Sequence, residues 1–264
     1  MHRRNRILLV PILFVMGAGQ AAAHYTFIVP QAFRVASGDT IVIGFHSGDG
    51  FPDSSAILKR LQEPTIRTGN GTIRLDGVKE DGKRLVASAI VPRASHMIVT
   101  AMNAAATEQM KPPSFEKYLE EEGLGHIVRA RAERGESDTP GRERYTMYAK
   151  AIVATGAPGD GYKLAAGLPL EIVPEQDPYR LKAGEALVLR VLLRGTPAAG
   201  LNVTAASTAE GFTTRVIGVT DADGRITVPV SRGRWRLHTI HMERVSEANV
   251  DWDSLWTTLT FEVS

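Results

Sequence analysis

The residue with the clearest capacity for chemistry stands near the start of the chain, at His24. The preceding segment has three arginines among its first six residues, an apolar run over residues 7–15, and Ala21 and Ala23 at the positions that signal peptidase reads. Cleavage after Ala23 would make His24 the first residue of the mature protein. A terminal histidine offers two nitrogen ligands, the ring Nδ1 and an α-amine whose pKa of about 8 lies well below the roughly 10.4 of lysine. We therefore expect His24 to bind a metal ion; the alternative is that a cleavage site merely happens to precede a histidine.

Further imidazoles would complete a site suited to nickel, cobalt or copper, since imidazole is a common ligand of these divalent ions. His46 follows a strand predicted over residues 40–45 and is close to Asp49 in sequence. Loops at one end of a β-sandwich converge, so residues distant in sequence can meet there. The predicted metal ligands are His24, His241 and His46.

His241 has an alternative interpretation, and the other three histidines are weaker candidates. His238 and His241 are three residues apart, so on a regular strand their side chains point to opposite faces and cannot bind one ion without a bulge. Trp235 shares the face of His241, which predicts that this face is buried. An alternative interpretation of His241 is therefore a hydrogen-bonded core histidine. His96 and His126 have no acidic or histidine neighbours at useful spacing and are predicted to be surface or packing residues.

Composition excludes several classes of protein. The chain has no cysteine, which rules out disulfides, thiolate metal sites and cysteine-protease chemistry. Without the three arginines of the export segment, 28 basic residues face 29 acidic ones, so nucleic acid is not an expected partner. No stretch after the signal approaches the roughly 20 apolar residues of a spanning helix. No nucleophile elbow, zinc-protease motif, P-loop or dinucleotide fingerprint occurs, and we expect a periplasmic or secreted protein that is not an enzyme.

The elements that must position these histidines are mostly β-strands. From Tyr25 onward, short apolar and β-branched runs alternate with turns rich in Gly, Asp and Pro. The pattern changes at residues 114–134, where Phe115, Tyr118 and Leu119 share one helical face. The glutamates at 120–122 are predicted to form a solvated helix face. The sequence predicts an all-β fold of two antiparallel immunoglobulin-like β-sandwiches, with a helical insertion at about 114–134 in the first. The predicted domains are residues 24–165 and 166–264, after a signal peptide of residues 1–23.

Six blocks of the sequence resemble one family of exported bacterial proteins, the domain of unknown function 4198. The blocks are HYTFIVP (24–30), FHSGDGFP (45–52), SFEKYLEEEGL (114–124), RERYTMYAKAIV (142–153), LEIVPEQDPYRLKAGE (170–185) and RWRLHTIHM (234–242). The resemblance implies a periplasmic two-domain β-protein of a family often labelled as a nickel-uptake component, without an established chemistry. It also places His24 and His241 at positions of the family's motifs.

The favoured function is that of a periplasmic accessory protein that captures nickel, cobalt or copper and passes it to an inner-membrane metal transporter. One alternative is an envelope binding or scaffold module without a metal, whose strand edges pair with a partner. Another is a copper oxygenase that uses the terminal histidine.

Overall fold

The computed structural model describes residues 25–264. The predicted signal peptide of residues 1–23 and the predicted ligand His24 lie outside the described residues. The fold is mostly β-strand with two α-helices, α1 (Pro112–Glu121) and α2 (Gly125–Glu133). The all-β sandwich-like fold and the helical insertion predicted from the sequence are therefore confirmed.

Sixteen strands make up the β structure of the described chain. The first eight are β1 (Thr26–Pro30), β2 (Thr40–Ser47), β3 (Leu61–Thr68), β4 (Gly71–Arg74), β5 (Lys79–Asp81), β6 (Arg84–Ile90), β7 (His96–Met110) and β8 (Gly141–Ala154). The second eight are β9 (Leu170–Pro174), β10 (Ala186–Leu193), β11 (Thr196–Pro197), β12 (Asn202–Ser207), β13 (Arg215–Val219), β14 (Arg225–Pro229), β15 (Gly233–Glu247) and β16 (Val250–Val263).

A central sheet of eight strands runs through the molecule in the order β13-β12-β15-β16-β8-β7-β3-β4. It joins strands from both predicted domains through β8 and β16, which pair in parallel while their other neighbours in the sheet are antiparallel. The predicted boundary at residues 165/166 therefore divides the sequence but not this sheet. The division into two domains stays a prediction.

Two smaller sheets cover the two faces of the central sheet. The first small sheet, β1-β2-β6-β5, packs Ile43 and Phe45 against Val99 of β7. It shares its side of the central sheet with α1 and α2, and we call that side the helical face. The second small sheet contains β9, β10, β11 and β14 and packs Leu189 against Leu237 of β15. We call its side the β10 face. Both faces of the central strands are therefore buried, because the central sheet is the middle layer.

Helix α1 attaches to the helical face through three buried side chains, Phe115, Tyr118 and Leu119. It begins at Pro112, two residues before the predicted start, and proline suits the first turn of a helix because the first N–H groups have no intrahelical acceptor. The helix ends before Gly123, whose φ of +73° lies in the left-handed region that favours glycine. This termination fixes the position of Glu122 beside the central sheet.

Candidate metal centre

The start of the described chain is held against the helical face by hydroxyl groups of β16. The Thr258 hydroxyl donates to the carbonyl oxygen of Thr26 at 2.7 Å, and the Thr260 hydroxyl donates to that of Ile28 at 2.5 Å. The opposite edge of β1 pairs with β2. Both edges of β1 are therefore hydrogen-bonded, and this strand holds Tyr25, the residue before it, against the helical face.

Tyr25, the first described residue, contacts a group of buried polar side chains. Its ring centre lies 4.7 Å from that of His238 in an edge-on arrangement, and 4.1 Å from the guanidinium carbon of Arg236. Its hydroxyl donates a long hydrogen bond of 3.5 Å to Glu122 Oε1. Burial, followed by the charge of Glu122, raises the pKa of the Tyr25 hydroxyl above its usual range, which keeps it a neutral donor.

His238 faces two oxygen acceptors. Its Nδ1 lies 3.1 Å from the carbonyl oxygen of Thr257, and its Nε2 lies 3.1 Å from Glu122 Oε2. The histidine side chain is 2% exposed and the glutamate side chain 10%. A neutral imidazole carries only one N–H and can satisfy only one of these acceptors. The second contact therefore requires a cation between nitrogen and oxygen, which is either a second proton or a metal ion.

The separation of these two atoms fits two ligands of one ion. Transition metals bind imidazole nitrogen and carboxylate oxygen at about 2.0–2.2 Å, so neighbouring ligands around one ion lie roughly 3 Å apart. The bond from Nδ1 to a carbonyl oxygen also matches the outer contact that commonly orients a metal-bound histidine. The arrangement can thus hold either an extra proton or an ion with little rearrangement of the two side chains.

The predicted ligand His46 lies in the first small sheet, where it is 3% exposed. Its ring stacks on Phe27 at 5.2 Å, its Nδ1 lies 2.9 Å from the Ser54 hydroxyl, and its Nε2 has no hydrogen-bond partner among residues 25–264. Its Nε2 also lies over Gly44, where an added Cβ would come within 2.5 Å of it. Burial, and secondarily the charge of Arg84, lowers the pKa of His46 to about 4.

The predicted ligand His241 lies on the β10 face. Glu243, two residues further along β15 and on the same face, bonds Arg194 next to β10. His241 Nε2 is 3.8 Å from Glu243 Oε2, and burial lowers the pKa of the imidazole. His238 is on the helical face, as strand alternation predicts. The structure does not bring His46 and His241 together, because the central sheet lies between them.

The prediction that the face of Trp235 is the buried one was incomplete. The residues of the other face are also covered, and His238 is the more buried of the two histidines, at 2% against 22% for the side chain of His241. The reason is the middle position of the central sheet, which the alternation of a single strand does not reveal.

The remaining two histidines differ from each other. His96 is buried, with its Nε2 3.3 Å from Asp177 Oδ1, whereas His126 is exposed on α2. Both were predicted as surface or packing residues, and His96 packs through an acidic neighbour that is 81 residues away in sequence. Within the described part of the chain, no group of three or more His, Asp or Glu side chains is arranged to hold a metal ion.

Sequence reasoning missed Glu122. The run at 120–122 was interpreted as one solvated face, and Glu120 and Glu121 are indeed exposed, but Glu122 is buried. The signal was available in the helical period, since Glu122 follows Tyr118 by four residues and Leu119 by three and so shares their buried side. The helical period could not predict that Glu122 contacts His238 on β15.

Comparison with known proteins agrees with the blocks recognised in the sequence. No curated protein matches the chain significantly. Among the described residues, no helix is both long and apolar enough to cross a membrane. The family described as a domain of unknown function (DUF4198) matches residues 21–243, which is most of the chain. This protein therefore belongs to the DUF4198 family.

Proposed function

We propose that this protein is a periplasmic accessory protein that captures a divalent transition metal, nickel, cobalt or copper, for delivery to an inner-membrane uptake system. The ligands are the α-amine and imidazole of His24, liberated by cleavage after Ala23, together with His238 Nε2 and Glu122 Oε2. The observation that carries the proposal is the imidazole of His238 set between two oxygen acceptors, beside the residue that follows His24.

The position of Tyr25, the residue after His24, is the reason for including His24 in the proposal. Consecutive Cα atoms are about 3.8 Å apart, so the α-amine of His24 is within a short reach of Tyr25. The Tyr25 side chain itself extends to Glu122 and His238. Three nitrogens and one carboxylate oxygen form a donor set suited to nickel and copper.

Capture and release would follow protonation. The ligands bind metal in their deprotonated forms, so binding releases protons and weakens as the pH falls. With an ordinary histidine pKa near 6.5 for the terminal imidazole, apparent affinity is expected to decrease below about pH 6. A carrier that must hand its ion to a second protein benefits from such a reversible site.

The first experiment compares two amino termini. Ni(II) and Cu(II) are titrated by calorimetry into protein that begins at His24 and into protein with one additional alanine before His24. We expect at least a tenfold loss of affinity in the extended protein, because its first amine is displaced and the His24 nitrogen becomes a peptide amide. Equal affinities would contradict a role for the terminus.

The second experiment compares two histidines of one strand. His238→Gln removes the proposed ligand on the helical face, and His241→Gln is the matched control on the β10 face. We expect about a 100-fold loss of Ni(II) affinity in the first variant and no change in the second, with circular dichroism showing that both are folded. A loss confined to His241→Gln would place the metal on the opposite side of the sheet and refute the site.

A further inference from the structure

A second feature of the helical face is a cavity of about 200 Å³ between α1, strands β7 and β8, and residues 56–60. Its wall includes Glu143, Asn103, Tyr118 and Trp256. A volume of this size holds roughly six or seven water molecules at liquid density, which is also the scale of a small organic ligand. None of the proposed metal ligands lines it, so it is a separate site.

The floor of the cavity carries a buried acid without a basic partner. Glu143 is 2% exposed, and its Oε1 accepts hydrogen bonds from the Tyr118 hydroxyl at 3.0 Å and from the Ser254 hydroxyl. No Lys, Arg or His side chain within the described range pairs with its carboxylate. Burial raises the pKa of Glu143 to about 7, and Glu108 adds to the effect, so near neutral pH this acid is poised between charged and neutral forms.

The cavity also contains an acceptor without a donor, Asn103, which pairs with Met147 and therefore lies four residues along β8 from Glu143. Asn103 is 8% exposed, and its Oδ1 is buried with no hydrogen-bond partner in the part of the chain that the structure describes. A buried acceptor left unpaired is costly, so such a group in a cavity indicates a missing donor. Glu143 therefore calls for a positively charged donor, and Asn103 could accept from a second donor further along the same ligand.

The apolar walls suit a cation as well. The rings of Tyr118 and Trp256 are stacked with their centres 6.0 Å apart, and Tyr145 lines the same space. Aromatic faces attract ammonium groups through their quadrupoles. The cationic residues at the cavity are Lys59, which is exposed, and Arg60, which is engaged with the Ala104 carbonyl and the Tyr145 ring. Arg60 is thus committed elsewhere, and neither residue neutralises Glu143.

We propose that this cavity binds a small organic cation whose primary ammonium group donates to Glu143, while its carbon chain packs on Met147 and the aromatic walls. The ligand class follows from a buried acid without a basic partner and from aromatic walls that line the same cavity. The argument for this cavity does not use the metal proposal, although the Trp256 ring that lines the cavity lies 5.1 Å from that of His238.

The test uses n-butylammonium chloride as the probe, titrated by calorimetry at pH 8. Two matched compounds isolate the chemistry: n-butanol has the chain without the charge, and tetramethylammonium has the charge without N–H donors. We expect n-butylammonium to bind at least tenfold more tightly than either. We also expect its affinity to fall at least threefold at pH 6, where Glu143 is protonated. Equal binding of n-butanol, or competition by sodium or potassium ions at the same concentration, would overturn the proposal.

Variants connect the binding to Glu143. Glu143→Gln keeps the size of the side chain and can still accept from Tyr118, and we expect it to abolish measurable binding of n-butylammonium. Glu120→Gln, an exposed acid on α1, is the control that should leave binding unchanged. Retention of binding in a folded Glu143→Gln protein would overturn the proposal.

The chain's own α-amine is a competing source of the same ammonium group. Protein that begins at His24 and protein with an additional alanine before it are both titrated with the probe. Equal affinity in the two supports a free ligand. Binding only in the extended protein would show that the native terminus occupies the cavity, which refutes a free ligand. A failure of the metal proposal would appear instead in the Ni(II) titrations.

Discussion

Two buried imidazole–carboxylate pairs occupy different junctions of this fold. His238 and Glu122 join the central sheet to the end of α1, with Nε2 and Oε2 3.1 Å apart. His96 and Asp177 join the start of β7 to the segment after β9, with Nε2 and Oδ1 3.3 Å apart. The residue types and distances are similar, but the surroundings of the two pairs are not.

The His96 pair is satisfied without any additional cation. The second ring nitrogen of His96 lies 3.3 Å from the Ser95 hydroxyl, which can donate to it, so a neutral imidazole fulfils both contacts. Asp177 is also occupied, because its Oδ1 accepts from the Tyr179 N–H at 2.9 Å and caps the helical turn at Pro178–Arg180. Burial lowers the pKa of His96, in keeping with a neutral ring.

The His238 pair lacks both features. The second ring nitrogen of His238 faces a carbonyl oxygen, which can only accept, and Glu122 has one other bond, a long one from Tyr25. A histidine–carboxylate pair by itself therefore does not reveal its role. The other partners of the imidazole and of the carboxylate must be known as well. The His96 pair is bonded by a donor and serves as a cap, whereas the His238 pair lies between acceptors.

The largest expected effect concerns a buried imidazole without a carboxylate partner, His46, and appears in the pH dependence of stability. His46 has a pKa of about 4, so between pH 6.5 and pH 4 the unfolded chain takes up a proton that the folded protein does not. The contribution of His46 to the free energy of unfolding is therefore fully present above pH 6.5, and about 3 kcal/mol of it is lost as the pH falls to 4. Urea unfolding against pH should show this slope reduced in His46→Leu and kept in His126→Gln. A slope that persists in full in His46→Leu would contradict the assignment.

Metal-linked stability should separate the two carboxylates. At Ni(II) concentrations 100 times the dissociation constant, a site present only in the folded protein adds about 2.7 kcal/mol. We expect Glu122→Ala to lose this increment and Asp177→Ala to keep it, as measured by thermal unfolding with and without Ni(II). An equal increment in both variants would show that the two pairs do not differ in the way proposed.

In the absence of metal, Asp177→Ala should be the more destabilising of the two variants. Asp177→Ala removes a cap and the partner of a buried histidine, and we expect a cost of about 2 kcal/mol. Glu122→Ala removes one short contact and one long one, and we expect a cost of about 1 kcal/mol. Urea unfolding at pH 7.5 measures both. A larger cost for Glu122→Ala would mean that its pair is the structural one.

The smallest effect is expected for His241. Its ring is partly exposed and its nearest acid is 3.8 Å away, so His241→Gln should change the free energy of unfolding by no more than about 0.5 kcal/mol. A cost above about 2 kcal/mol would revive the alternative of a hydrogen-bonded core histidine.

Local patterns explain the correct predictions. The strands and the insertion could be predicted because turn residues separate β-branched runs, and because Phe115, Tyr118 and Leu119 repeat at the helical period. Alternation along β15 correctly separated His238 from His241. Pairing across the parallel strands β8 and β16 could not be predicted, because they are about 100 residues apart in sequence and neither carries a local signal for its partner.

The candidate site shows the same limit. The sequence named His24 and noted His238, but it interpreted Glu122 as solvated, since a run of three acids is usually exposed. Glu143 and Asn103 gave no sequence signal, because each occupies an ordinary strand position and the cavity that both line forms only where β7 and β8 lie beside α1.

The sequence by itself determined the periodicity of the strands, the helical insertion and the family, since these depend on neighbouring residues and on blocks of residues read in order. Only the tertiary structure decided that the central sheet is the middle layer, that His46 and His241 are separated by it, and that Glu122 reaches His238 across 116 residues. The physical reason is that burial and charge pairing depend on which surfaces pack together. That packing is a property of the whole chain.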